Sequence, residues 1–478
     1  MATDYIGISY DDIKSNIQAA FQEQGDFVSK EITIPDYGRR KCCLFFLGSQ
    51  ISWKVIAEVG LNIEKLSGSE RFDAAFCSLL APTLSKTTLF QDEMVMAIFE
   101  GNTVVIAEHL SIAFILRTHA PKKRSFAEST TEKVVRGPKL AYIEDLDDNI
   151  GLTRQMVNSK NLKVEEHQIK ENESIKTLSL LYIKGVADEG IIADITDRLH
   201  KIKTTEIQDS GMIEELIEDA PFSPFPQMQS TERPDRVTAA LNDGRLVLFV
   251  ANSPFALILP TTFDMLLQSP DDYYERWIAS SFLRLLRYMS LFITVFLSSL
   301  YISFVSFHHG LLPTDVAMTI IATREDIPFP PILEVLIMEV TIELLREAGI
   351  RLPSPLGQTI GLVGGVIIGQ AAVEANIVSS LMVIIVSITT ITSFTVPSYS
   401  FGLSFRLLRF GAIIISAILG LVGVMFFFLF VLIHLSKLTS FNQPYLSGKF
   451  FFYNQKWKQI FLLLSKKRAL KKPKGSGA

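Results

Sequence analysis

The chain has 478 residues, 48% of them hydrophobic and 20% charged, with a formal net charge of −4 and a mean hydropathy of +0.29. That average is too apolar for a soluble protein and too charged for one lying wholly in lipid, and the charges are partitioned accordingly. Residues 276–440 carry 9 basic and 8 acidic side chains in 165 positions, so a soluble half is joined to a membrane half.

Three cysteines, Cys42, Cys43 and Cys77, are an odd number without ligand spacing, which excludes a disulfide framework and a zinc site and fits a reducing compartment. The amino terminus, with Asp4, Asp11 and Asp12 and no basic-then-apolar run, does not read as a secretory signal. The soluble half is therefore expected in the cytoplasm.

Within that half the sequence repeats itself. Leu44-Phe45-Phe46-Leu47-Gly48 reads like Leu181-Tyr182-Ile183-Lys184-Gly185, and the run from Ile98 to Ile106 parallels that from Leu241 to Phe249. The match continues in register, with Ile112 to Leu116 aligning with Phe255 to Leu259. Each copy reads strand, helix, a variable middle, helix, then two strands, with Gly101 and Gly244 ending a helix. The expectation is two tandem related α/β domains, over 1–117 and 138–266, separated by a basic linker at 118–137 that carries Lys122, Lys123 and Arg124.

A polytopic helical membrane domain is expected over 267–440, followed by a basic tail at 441–478. Uncharged runs long enough to cross a ~30 Å hydrocarbon core fall near 288–307, 356–373, 377–396 and 410–433. The stretch 331–348 contains Glu334, Glu339, Glu343, Arg346 and Glu347 and reads as amphipathic or re-entrant, since a central charge costs ~2.5–3.5 kcal/mol on insertion. Arg276, Arg284 and Arg287 before the first crossing, and nine Lys or Arg with no acid in the tail, place both ends in the cytoplasm and require an even number of crossings. Four satisfies this, six is the alternative if 311–323 and 331–348 both span, and Arg406 and Arg409 weigh against four because it leaves them on the outer side.

Gly357, Gly361, Gly365 and Gly369 recur every four residues and leave one helix face bare for close packing. At 100° per residue Thr359, Val363, Val366, Gln370 and Glu374 fall on the opposite arc. A stripe with polar ends, an apolar waist and a terminal carboxylate suits a pore lining in a ring of copies. Ordinary helix packing, with Glu374 marking the membrane surface, is the plainer alternative. On the Glu-rich stretch, Glu339 and Glu343 share a face and Arg346 is placed to neutralise Glu343. His308-His309 reads as a surface turn. No phosphate loop, nucleophile elbow, metalloprotease motif or dinucleotide fingerprint is present, so neither an enzyme nor a cofactor is expected.

The run from Ser269-Pro270-Asp271-Asp272 through Leu311-Leu312-Pro313, Pro328-Phe329-Pro330-Pro331, Glu343 to Gly349, and Gly357 to Val373 resembles the A subunits of the GerA family of spore germinant receptors. Glu132 to Lys139, Ser210 to Asp219 and Glu232-Arg233-Pro234-Asp235 are similar too. The resemblance implies a protein of the spore inner membrane that assembles with a transporter-like B subunit and a lipoprotein C subunit. It also implies that A subunits form a homo-oligomer that passes monovalent cations when nutrient is sensed. A pore-less scaffold subunit and a germination-amplifying homologue are the alternatives; nucleic acid has no part in any of them.

Overall fold

The computed structural model describes residues 10–34, 40–64, 66, 72–108, 110, 112–118, 129, 131–171, 174–203, 207–351 and 367–446. The chain forms two compact units, one of Met1–Val134, Pro138–Glu218 and Met228–Pro260, the other of Val135–Gly137, Asp219–Gln227 and Thr261–Ala478.

The first unit holds two five-stranded antiparallel sheets of the same order. In one, α1 (Tyr10–Ala20), β1 (Phe27–Ile34), β2 (Arg40–Leu47), α2 (Trp53–Glu64), α3 (Phe72–Leu80), β3 (Leu84–Thr88), α4 (Gln91–Phe99), β4 (Thr103–Ala107) and β5 (Ala113–Leu116) give the order β1-β2-β4-β5-β3. In the other, α5 (Leu146–Val157), β6 (Leu162–Glu171), β7 (Ser174–Ile183), α6 (Glu189–Lys201), α7 (Ser210–Ile217), β8 (Gln229–Thr231), α8 (Pro234–Asn242), β9 (Leu246–Val250) and β10 (Ala256–Leu259) give β6-β7-β9-β10-β8.

The internal repeat extends to the hydrogen-bond ladder. Val104 faces Ile115 and Val247 faces Ile258, and Gly101 and Gly244 end their helices with the same φ of 82°. Alternate residues of β2, β4 and β5 point to opposite faces. Cys42, Leu44, Phe46, Val105, Phe114 and Leu116 pack with α2 and α3, whereas Cys43, Phe45, Leu47, Val104, Ile106 and Ile115 pack with α1 and α4. Helices on both faces explain why these strands are continuously apolar. Each copy contains two strands more than the sequence pattern showed. β1 and β6 lie at sheet edges and mix Lys and Glu with their apolar residues, and β3 and β8 are short and mostly polar.

The two sheets are tied by Arg154 of α5, which donates to Asp26 at 2.6 and 3.0 Å and to Gln24 at 2.8 Å, all three buried. Gly25 donates to the Val164 carbonyl at 2.7 Å. Gly151 lies so close to Ser49 that a Cβ would stand 2.2 Å from its carbonyl oxygen. Of the segment expected as a linker, 119–128 and 130, and with them Lys122, Lys123 and Arg124, lie outside the described residues. Glu132 is fixed on the second sheet by Arg236 and Thr231.

In the second unit the short helices α9 (Phe263–Leu266) and α10 (Asp271–Tyr274) precede α11 (Trp277–Ser306), α12 (Thr314–Ala322) and α13 (Pro331–Arg351). Helical residues 367–374 (α14), α15 (Ser380–Ser393) and α16 (Tyr399–Lys437) follow. Among the described residues two helices, α11 and α16, are long and apolar enough to cross a membrane. The expected crossing 288–307 falls on α11, which begins earlier, at Trp277, and ends at Ser306. That at 377–396 is helical only over Ser380–Ser393, about 21 Å at 1.5 Å per residue. Most of the expected crossing at 356–373 lies outside the described residues.

The expected crossing at 410–433 is not one passage. Gly420 has φ 61° and ψ −142°, and the chain doubles back there. Phe401 and His434 would be about 50 Å apart along a straight helix, yet both rings pack on Phe225, with centroids 6.2 and 5.9 Å away. A Cβ on Gly411 would likewise stand 3.1 Å from the Phe427 ring. α16 is therefore a hairpin whose tip meets Phe307 and His308 at the far end of α11. Its two ends return to the level of Phe263 and Phe225, near the start of α11.

Two expectations follow from these backbone and burial features. Gly420→Ala forces a side chain into a conformation costing about 1–3 kcal/mol and against Phe307 and His308. It should lower the thermal midpoint in detergent, while Gly349→Ala, with nothing within 4 Å, should not. In the first unit, burial and then Glu218 push the Glu214 carboxyl up to about 7, and the Met228 N–H offsets this only partly. The unfolded chain gives up this proton first, so folding stability should fall as pH rises from about 4.5 to about 7 and then level off. Thermal midpoints across that range should show the decline, and Glu214→Gln should flatten it.

Candidate functional site

α13 is built inside out. Glu334, Val335, Met338 and Glu339 face the interior of the helical unit, whereas Leu333, Ile337, Val340 and Leu344 are exposed. A water-facing helix would present the reverse pattern; an apolar exterior with its carboxylates turned inward suits a lipid surrounding.

The inward carboxylates meet arginines from the first limb of α16. Glu339 and Arg409, both 0% exposed, pair at 2.9 Å, and Glu339 also accepts from Ser298 at 2.9 Å and Thr389 at 3.3 Å. One turn further on, Glu343 pairs with Arg406 at 2.7 Å and with Arg346 at 3.4 Å. Arg346 donates to Ser393 at 2.9 Å and stacks over Phe394, and Arg406 lies over Tyr399. Two carboxylates thus face three guanidinium groups, and hydroxyls of α11 and α15 take up further acceptor positions.

Glu334 makes a second buried pair with Arg324 at 2.8 Å and accepts from the Ser379 N–H at 3.1 Å, placing its charge at the N-terminus of α15. A third lies at the start of α11, where Arg287 grips Asp272 at 2.7 and 2.9 Å. These pairs fix direction. α13 runs from the Tyr301 level of α11, past Ser298 at Glu339, to Ser393 at Arg346. α15 runs the same way, from Ser379 beside Tyr301 to Thr392 beside Thr294. Both are antiparallel to α11.

Of the residues expected to line a pore, Thr359, Val363 and Val366 lie outside the described residues, as do Gly357, Gly361 and Gly365. Gly369 is buried, with its Cβ position 3.7 Å from Val383 of α15. Gln370 and Glu374 are exposed on α14, and the Gln370 amide donates to Glu374 at 2.9 Å. His308 caps the far end of α11 against Gly420, and among the described residues no His, Cys, Asp and Glu group is arranged to hold a metal ion.

The Glu343–Arg346 pair was legible from i,i+3 spacing. The partners from α16 were not, although their signal is in the sequence: Arg406 and Arg409, one turn apart in an apolar run, complement Glu339 and Glu343, also one turn apart. The two arginines that four crossings would leave on an outer surface are the counter-ions of the Glu-rich helix.

Removing one partner of such a pair strands the other charge at a cost of about 3–5 kcal/mol, whereas replacing both is close to neutral. Arg409→Leu should therefore lower the thermal midpoint of the detergent-solubilised protein sharply. Adding Glu339→Leu to it should restore most of the loss in a double-mutant cycle.

A family profile described as the Bacillus/Clostridium GerA spore germination protein matches residues 15–475. The chain is 56% identical over 356 residues to spore germination protein A1 of Bacillus subtilis (strain 168), covering 74% of each. To the uncharacterized membrane protein YfkQ of the same organism it is 44% identical over 366 residues, 77% of this chain and 71% of that one. The crystal structure of the N-terminal domain of the A subunit of the Bacillus megaterium spore germinant receptor GerK3 aligns with a TM-score of 0.42 at 21% identity. That alignment covers 55% of this chain and 99% of that one.

Proposed function

The chain belongs to the GerA family of spore germination proteins, and we propose that it is the A subunit of a nutrient germinant receptor in the spore inner membrane, oligomerising into a ligand-gated cation channel. Membership makes it a receptor subunit and not a catalyst. A transporter-like B subunit and a lipoprotein C subunit are its partners in this reading, and monovalent cations are the permeant ions.

The observation that carries the pore is the orientation of α14. Gly369 packs on α15, while Gln370 and Glu374 turn away from the subunit's own core and are open to a neighbour or an axis. In a ring of copies the same stripe, continued through Val366, Val363 and Thr359, would line that axis, with Glu374 as a cation-attracting ring and the valines as a dewetting gate.

The helical unit supports a polytopic reading with six passages. α11 crosses one way and α13 returns with Glu334 and Glu339 neutralised inside. In this reading the uncharged run at 356–373 supplies the next passage, α15 returns, and the two limbs of α16 complete the set. An even number keeps both ends on the cytoplasmic side. It also moves Arg406 and Arg409 off an outer surface and into the bundle, the difficulty with four crossings.

Potassium flux through the purified oligomer in liposomes tests the pore. Val363→Ala should leak without nutrient, and Glu374→Gln should lower cation conductance without loss of assembly. Unchanged flux in both, with the oligomer intact, would leave the scaffold reading standing.

A further inference from the structure

Phe222 is 101% exposed, the most exposed large apolar side chain among the described residues. It sits on the segment Asp219–Gln227, and that segment is not loose. The Gln227 amide closes it, accepting from the N–H groups of Asp219 and Ala220 at 2.8 and 3.0 Å and donating to the Ala220 carbonyl at 2.9 Å. Ser404 donates to the Pro224 carbonyl, Tyr445 to that of Pro226 at 2.9 Å and Ser440 to that of Gln227 at 2.6 Å. The Ser223 hydroxyl meets His434 at 2.9 Å. Phe225 is buried against Phe401, Phe405, His434 and Tyr445.

Pro221, Pro224 and Pro226 stiffen what these bonds already hold. Three residues from a fully buried Phe225, Phe222 is thus held outward by a loop that cannot let it turn in. Leaving a phenylalanine ring in water forgoes about 1.5–3 kcal/mol of burial, which a rigid mount makes permanent unless something apolar covers the ring.

Its level in the helical unit says what does. The tethers come from Ser404, in the first turns of the α16 hairpin, and His434, in its last turn, where the exposed apolar band of Leu403, Leu407, Phe430 and Ile433 begins. Tyr399 and Trp277, both exposed, open α16 and α11. Aromatic rings at the ends of apolar helices are the side chains that settle at the headgroup–acyl boundary.

We propose that Phe222 is an interfacial lipid anchor, set by the loop Asp219–Gln227 into the boundary of the cytoplasmic leaflet where it fixes the depth of the helical unit. This rests on the reading of α11 and α16 as membrane-crossing.

Spin labels on the full chain in phosphatidylethanolamine–phosphatidylglycerol vesicles test it, in a Cys77→Ser background, since Cys42 and Cys43 are fully buried. Phe222→Cys is compared with Leu429→Cys in the apolar band and with exposed Lys201→Cys in the first unit. The expected result is an oxygen-to-nickel accessibility ratio for Phe222→Cys several-fold above Lys201→Cys and below Leu429→Cys. A ratio equal to that of Lys201→Cys, or protection from both reagents as in a protein–protein contact, overturns the anchor. If Leu429→Cys itself behaves like Lys201→Cys, the membrane reading falls and the anchor with it.

Discussion

The arrangement of the helical unit depends on one constraint: Glu339 and Arg409 are charges with no access to solvent, so each must sit within hydrogen-bonding distance of the other. An isolated carboxylate in an apolar bundle is too costly to keep ionised, and the pair becomes tolerable only with Ser298 and Thr389 supplying further donors. Satisfying it brings α13 onto the first limb of α16, with α11 and α15 on either side. The Glu343–Arg406–Arg346 group repeats the solution one turn along and sets the register. The apolar face of α13 is then left on the outside by default.

The first unit solves a different problem with similar means. Two copies of one α/β plan each bury their own sheets between helices, so their association does not need a shared hydrophobic core. Arg154, Asp26 and Gln24 join them instead, in a buried bidentate contact backed by the close approach of Gly151 to Ser49. Such a joint is directional: a guanidinium fork fits its acceptors in one orientation, and a glycine facing a carbonyl leaves no room for a shifted one.

In a receptor subunit these two styles of packing divide the labour. The duplicated domains offer rigid surfaces, while the helical unit contains the polar groups that a conformational change would have to re-pair. The exposed Gln370 and Glu374 on α14 stand outside that network.

How much of this was readable in the sequence varied with the range of the interaction. The internal repeat, the glycines ending equivalent helices, the central strands and α11 came from local patterning, because periodicity, positive-φ caps and long apolar runs are properties of neighbouring residues. The edge strands β1 and β6 were missed because their exposed side mixes Lys and Glu with apolar positions, and only pairing with β2 and β7 defines them. The fold-back of α16 was hidden because Gly420 sits in an apolar run where glycine also serves ordinary helix packing. Sequence by itself determined that acids and arginines lie in an apolar half of the chain, and one pair, Glu343–Arg346, that a single helix brings together. Which arginines of a distant helix neutralise Glu339 and Glu343 only the tertiary structure decided, since partners some 60–70 positions apart meet through the direction and register of packed helices, which no local spacing encodes.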